Sequence, residues 1–222
     1  MELNKIYNMD CKKGLKLLGD DFCDVAFTSP PYNRIRNDTY EFYDDTLENY
    51  YEMIVDVTKE LIRICKKQVI VNIQANHFNK KEVYKYIGEF SESLKGIVIW
   101  EKSNPQPANN YREEDNTFSI TNAYEFFFVI SCEDSAEDFR ANSKIKNVIC
   151  SNVNSLSFEG HSAVMKYEVG EVIIDPFMGC GTTAIACENL GREWLGFEIC
   201  KEYVDMANDR IEKATRQFKI EL

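Results

Sequence analysis

Short unbroken apolar runs alternate along this chain with longer stretches whose apolar residues return every three to four positions. The first pattern predicts buried strands, the second helices with one covered face. Strands are expected over residues 6–8, 25–27, 68–73, 96–100, 124–130, 172–174 and 194–198, with a short one at 148–149. Helices are expected over 11–18, 47–65, 80–90, 182–190 and 201–214, the second capped by Thr46 and the fourth ended by Gly191. Strands alternating with helices imply an α/β fold with a mostly parallel sheet covered on both faces. Segments 33–45, 103–122 and 131–160 follow neither period and read as loops, and loops this long in a compact domain tend to be functional or mobile. No linker, repeat or low-complexity tract divides the chain, so residues 1–222 read as one domain.

One junction stands out. The run Val25-Ala26-Phe27 ends in Thr28-Ser29-Pro30-Pro31-Tyr32. Each proline fixes its own φ and lacks an N–H, and Pro30 pushes Ser29 towards an extended conformation. The result is a stiff corner at a strand's carboxyl end, where open α/β sheets bind ligands. It offers the Ser29 hydroxyl, the Pro30 carbonyl and the Tyr32 ring. A bare Pro-Pro is more often only a rigid turn; a second motif far downstream changes that reading.

That second motif is Asp175-Pro176-Phe177-Met178-Gly179-Cys180-Gly181-Thr182-Thr183. Gly179, Gly181 and Ala184 fit G-x-G-x-x-(G/A) between a strand and a helix, where glycines admit a ligand to the backbone and the helix start offers free N–H groups. Glu198 ends the next strand, 17 residues after Gly181, where a carboxylate can accept from both hydroxyls of a ribose. A packing turn and a solvated strand end are the plainer readings; together the motifs favour a nucleoside cofactor. A dinucleotide fold opens with this turn, whereas here it comes at residue 175 of 222. Asp175 and Phe177 place a carboxylate and an aromatic ring where a cationic, non-phosphate cofactor would lie.

Composition narrows the setting. The chain is 44% hydrophobic and 28% charged, enough for one full core. No apolar run approaches the ~18 residues of a membrane span. The first ten residues lack the features of a secretory signal. Eight scattered cysteines contain no Cys-x-x-Cys, and with only His77 and His161 beside them no zinc spacing appears. Free thiols in a reducing cytoplasm are the simplest account, with no metal expected. The net charge of −11 weighs against a nucleic-acid partner. Local clusters weigh the other way: Arg34 with Arg36, Arg63/Lys66/Lys67, Lys80/Lys81/Lys85 and Arg140/Lys144/Lys146. For most of them solvated surface is the simpler reading.

On these motifs the chain resembles the amino-methyltransferases of DNA, and more narrowly their permuted β group, in which the catalytic motif comes first and the cofactor motif last. Ser29-Pro30-Pro31-Tyr32 matches the catalytic motif (Asp/Asn/Ser)-Pro-Pro-(Tyr/Phe), and Asp175 to Thr183 matches the cofactor loop. Gly191-Arg192, Gly196-Phe197-Glu198, Tyr203, Ile99-Trp100-x-Lys102 and Glu125 fit as well. Asp10 fits with Met9 in place of the usual glycine, and Gly160-His161-Ser162-Ala163 keeps a family histidine without its proline. Only residues 164–171 then remain before the cofactor strand, too few for the family's usual helix.

The resemblance implies a Rossmann-like methyltransferase fold with an antiparallel strand near one edge. It implies S-adenosylmethionine as cofactor, held by Asp10, Cys11, Thr28, His161, Ser162, Asp175, Pro176, Phe177, Gly179, Gly181, Thr182 and Glu198. Catalysis falls to Ser29, Pro30, Pro31 and Tyr32, with the Ser29 hydroxyl and Pro30 carbonyl accepting the hydrogens of an exocyclic amine and Tyr32 stacking on the flipped base. Arg34 and Arg36 would contact double-stranded DNA, and the three loops would read its sequence. Serine in the first motif position leans to cytosine N4, with adenine N6 as the alternative. Methylation of RNA or of a protein amide, and a non-catalytic binding module, remain as competing classes. A homodimer and a cognate restriction endonuclease stay open as partners.

Overall fold

The computed structural model describes residues 1–33, 42, 46–103, 111–112, 117–118, 123–132, 147–151 and 172–220. Among the described residues ten strands are seen: β1 (Lys5–Asn8), β2 (Cys23–Thr28), β3 (Cys65–Ile73), β4 (Leu94–Lys102), β5 (Tyr111–Arg112), β6 (Thr117–Phe118), β7 (Tyr124–Ser131), β8 (Val148–Ser151), β9 (Val172–Asp175) and β10 (Glu193–Glu198). Five helices join them: α1 (Cys11–Leu15), α2 (Tyr50–Ile64), α3 (Lys80–Glu89), α4 (Thr182–Leu190) and α5 (Lys201–Ile220).

Eight strands form one sheet in the order β1-β10-β9-β2-β3-β7-β4-β8, and only β7 runs against the rest. This is the Rossmann-like arrangement expected, with its antiparallel strand near one edge. The two ends of the chain meet in it. Ile6 pairs with Gly196 and Asn8 with Glu198, while Val25 pairs with Ile173. β1 and β2 therefore share the sheet without touching, because β10 and β9 lie between them.

Alternation divides the core into two layers. Val69, Val71 and Ile73 of β3 face one way, into a cluster with Leu15, Leu61, Ile64 and Tyr86 of α1, α2 and α3. Ile70 faces the other way, with Val25, Phe27, Phe127, Ala184 and Val204, so α4 and α5 cover that side.

Several boundaries differ from expectation. α1 stops at Leu15, and the rest of the predicted helix becomes a turn that still buries Leu18. α2 begins at Tyr50 rather than Leu47, so Thr46 does not cap it; Asn33 exchanges two hydrogen bonds with the Leu47 backbone instead, at 2.9 and 3.2 Å. α5 runs past Ala214, and the expected loop over 103–122 contains the two-residue ribbon β5–β6. All eight cysteines are free thiols. Among the described residues no helix is long and apolar enough to cross a membrane.

Candidate active site

The carboxyl ends of β2, β3, β9 and β10 open on a cavity of about 510 Å³. Its wall includes Ser29, Pro31 and Tyr32 from the proline corner, and Asp175 to Cys180 from the glycine turn. The two motifs, about 150 residues apart in sequence, thus face one space.

Ser29 is held from behind. Its Oγ lies 2.9 Å from the Tyr32 hydroxyl and 3.3 Å from Asn72 Oδ1, at the carboxyl end of β3. The Asn72 amide is oriented by its Nδ2, which donates to the Phe126 carbonyl at 3.1 Å. The Tyr32 hydroxyl lies 2.9 Å from Glu125 Oε2, and Lys102 Nζ lies 2.6 Å from Glu125 Oε1. A hydroxyl has one proton to give. The Tyr32 proton goes best to the Glu125 carboxylate, a charge-assisted bond. The Ser29 proton then points inward, to the Tyr32 oxygen or to Asn72 Oδ1. Lone pairs of Ser29 Oγ are left for the cavity.

The opposite wall is organised by two carboxylates, Asp175 buried and Glu198 half-buried. Asp175 is 3% exposed. Its Oδ1 accepts from Thr28 Oγ1 at 2.8 Å and from the Phe177 N–H at 3.0 Å, and its Oδ2 accepts from Thr183 Oγ1 at 2.6 Å. Burial raises its pKa to about 6, against the pull of those donors. Both oxygens are taken up by protein groups, so Asp175 braces the corner against the glycine turn rather than turning its charge freely to a ligand. Thr28, 2% exposed, faces Asp175 and lies off the cavity wall.

Glu198 accepts from the Gly179 N–H and the Cys200 N–H, each at 2.8 Å. Burial raises its pKa, and the backbone donors oppose that rise. Gly179 has φ +52°, and a Cβ there would meet only the Phe177 carbonyl, at 3.9 Å. Gly181 differs. With φ +84°, it would place a Cβ 2.9 Å from the Ala207 Cβ, so its glycine serves the packing of α4 on α5. It does not line the cavity.

Asp10 reaches the wall as the N-cap of α1, accepting from the Lys13 N–H at 3.2 Å. Cys11 beside it is pushed up to about 12 by burial and is a neutral thiol at neutral pH. Pro176, Phe177 and Thr182 also line the cavity; Pro30 is buried behind it. Arg34, Arg36, His161 and Ser162 lie outside the described residues, as does most of 33–45, 103–122 and 131–160. Phe42 is described. Its ring meets Tyr203 edge-on at 5.7 Å, beside the glycine turn.

Sequence reasoning missed Asn72. A polar residue inside the buried run Val69-Ile70-Val71-Asn72-Ile73 was the available signal. Lys102 and Glu125 entered only by resemblance, and their pairing needed the antiparallel register of β4 and β7.

Residues 23–151 and 153–209 match the family described as DNA methylase, the N6/N4 amino-methyltransferases. The Type II methyltransferase M.SmaI of Serratia marcescens is 24% identical over 93% of this chain and 90% of its own length. The cytosine-N4-specific PvuII DNA methyltransferase shares the fold at TM-score 0.70 and 15% identity, over 96% of this chain and 91% of that one. M1.HpyAVI in complex with SAM does so at TM-score 0.63 and 21% identity, over 93% and 97%. S-adenosylmethionine is the methyl donor of the family. With a match to most of its length, this chain belongs to the N6/N4 DNA methylase family.

Proposed function

We propose that this chain methylates the exocyclic amine of a base swung out of duplex DNA, with cytosine N4 ahead of adenine N6. The observation that carries the proposal is the placement of Ser29 Oγ on a cavity it shares with the glycine turn, with the Tyr32 hydroxyl at 2.9 Å and Asn72 Oδ1 at 3.3 Å behind it to take its proton.

The cavity suits the methyl donor. Gly179 leaves open the space a side chain would fill, Glu198 stands behind it, and Phe177 lines the same wall. Glu198 would receive ribose hydroxyls with the lone pairs its two N–H partners leave, and Phe177 would pack near the adenine. Asp10 would reach the adenine amine as the resemblance implies. When bound, S-adenosylmethionine supplies a methyl group already made electrophilic by its sulfonium.

The weak partner is the amine, whose lone pair is conjugated with the ring. Ser29 Oγ, on the wall, would accept one of its hydrogens, and the Pro30 carbonyl, buried behind the wall, would take the other in the role the resemblance implies, localising the lone pair on nitrogen and aiming it. Ser29 acts here as an acceptor and not as a base, since the Asn72 amide behind it cannot take up a proton; as the nitrogen–carbon bond forms the sulfur–methyl bond would break, and the surplus proton would leave the methylated nitrogen for solvent afterwards. A paired base cannot reach this depth, so the target must leave the helix. Tyr32 lines the wall with its hydroxyl tethered, which fixes the ring in one orientation for stacking. Serine, not aspartate, at position 29 supports cytosine N4 through the family resemblance; adenine N6 presents the same two hydrogens and stays the alternative.

The test offers methyl-labelled S-adenosylmethionine with duplex DNA, RNA and protein extract in parallel, followed by long-read sequencing of DNA from expressing cells. Label in DNA with N4-methylcytosine is expected. N6-methyladenine would correct the base, and label only in RNA or protein would overturn the proposal.

A further inference from the structure

The turn after β3 is fastened to the proline corner. Asn76 Nδ2 and Asn79 Nδ2 both donate to the Tyr32 carbonyl, at 3.0 and 2.8 Å. Asn79 Oδ1 accepts from the Asn76 N–H at 2.7 Å, and Asn76 Oδ1 accepts from the Phe78 N–H at 2.7 Å. This latch leaves His77 and Phe78 exposed beside the corner, Phe78 at 41%. Helix α3 follows at once and turns Lys80, Lys81, Tyr84 and Lys85 to solvent.

These lysines are unlike those of an ordinary solvated helix face. On α5 the charges pair along the helix: Lys201 with Asp205, Lys213 with Asp209, Arg216 with Glu212. On α3, among the described residues, neither Lys80 nor Lys81 forms an ion pair, and Lys85 Nζ rests 5.6 Å from the centre of the Tyr51 ring. Of the two acidic residues of α3, Glu89 is engaged by Lys59 at 2.6 Å, and Glu82 is half-buried with one oxygen out of water. The edge therefore carries a local positive surplus on a chain of net charge −11. A polyanion can approach an acidic protein only where such a face exists.

We infer that this edge grips the duplex flanking the extruded base. Lys80 and Lys81 contact backbone phosphates, and Phe78 packs on the sugar edge beside the proline corner. The inference rests on the DNA reading above and adds a contact surface to it. The partner is double-stranded DNA, and the recognition is of its backbone rather than its sequence.

The experiment measures binding of a fluorescein-labelled random duplex of about 30 base pairs across roughly 50–200 mM salt, for the wild type, Lys80→Ala/Lys81→Ala and Phe78→Ala. Two lost phosphate contacts should lower the slope of log K against log salt by about 2, with affinity falling roughly tenfold. Phe78→Ala should weaken binding several-fold and keep the slope, because a ring displaces no counterion. Calorimetric affinity for S-adenosylmethionine should match the wild type in both variants. A wild type that methylates DNA, beside a double variant with unchanged slope and affinity, overturns this inference alone. A wild type that neither binds the duplex nor methylates DNA overturns the functional reading and this surface with it.

Discussion

Thr28 Oγ1 donates to Asp175 Oδ1 at 2.8 Å inside the protein, joining residues 147 positions apart. The bond ties the last residue of β2 to the last residue of β9, and so the proline corner to the glycine turn. The β2–β9 ladder sets the two halves of the site side by side, and this buried carboxylate fastens them at its end.

That carboxylate makes stability depend on pH. Its pKa is about 6 folded against an ordinary 3.8, so between these values the folded state holds more proton than the unfolded chain. Stability contributed by this group is therefore greatest below about pH 4 and declines as pH rises towards 6, by on the order of 3 kcal/mol in all. Asp175→Asn should remove this decline. Urea unfolding of both proteins at about pH 4 and pH 7 checks it, and parallel pH profiles would show that Asp175 is not the group responsible.

Tyr32 joins two roles that substitution can separate. Tyr32→Phe keeps the ring and leaves the Ser29 proton with Asn72 as its acceptor, so a stability loss of about 1–2 kcal/mol and a modest fall in rate are expected. Tyr32→Ala also removes the proposed platform for the base, and a further ~1–3 kcal/mol should be lost from target binding. Single-turnover methylation with thermal unfolding distinguishes the two. Full activity in Tyr32→Ala would sink the stacking role.

Glu198→Ala should lower affinity for S-adenosylmethionine by at least tenfold, about 1.4 kcal/mol, because it removes the proposed ribose acceptor and releases the Gly179 N–H. Isothermal calorimetry reads this directly, and unchanged affinity would remove Glu198 from the ribose site.

Gly181 and Gly191 both have positive φ, at +84° and +63°, but only Gly181 is crowded. Gly191→Ala should cost about 1–2 kcal/mol for the left-handed backbone alone. Gly181→Ala adds the clash with Ala207 and should cost roughly 1–3 kcal/mol more, with weakened cofactor binding as α4 and α5 separate. Equal losses in melting temperature would show that α5 gives way freely.

Much of this protein was legible in one dimension. Apolar runs marked the strands because a parallel strand is covered on both faces. Pro30-Pro31 and Gly179-x-Gly181 marked the two turns because backbone constraints act within a few residues. The end of α4 falls close to where Gly191 marks it, because its left-handed stop is local. The glycine turn comes at residue 175 of 222 with one strand after it, so most of its sheet had to come from upstream.

The folded chain decided the rest. That β1 lies against β10, that Asp175 is bound by Thr28 and Thr183, and that Ser29 leans on Asn72 while Tyr32 leans on Glu125 are facts of register between strands far apart in sequence. A composition or a period carries no information about which distant hydroxyl will donate to which carboxylate. Burial decides it, because each polar group removed from water must find its partner among whatever the sheet brings within 3 Å or so.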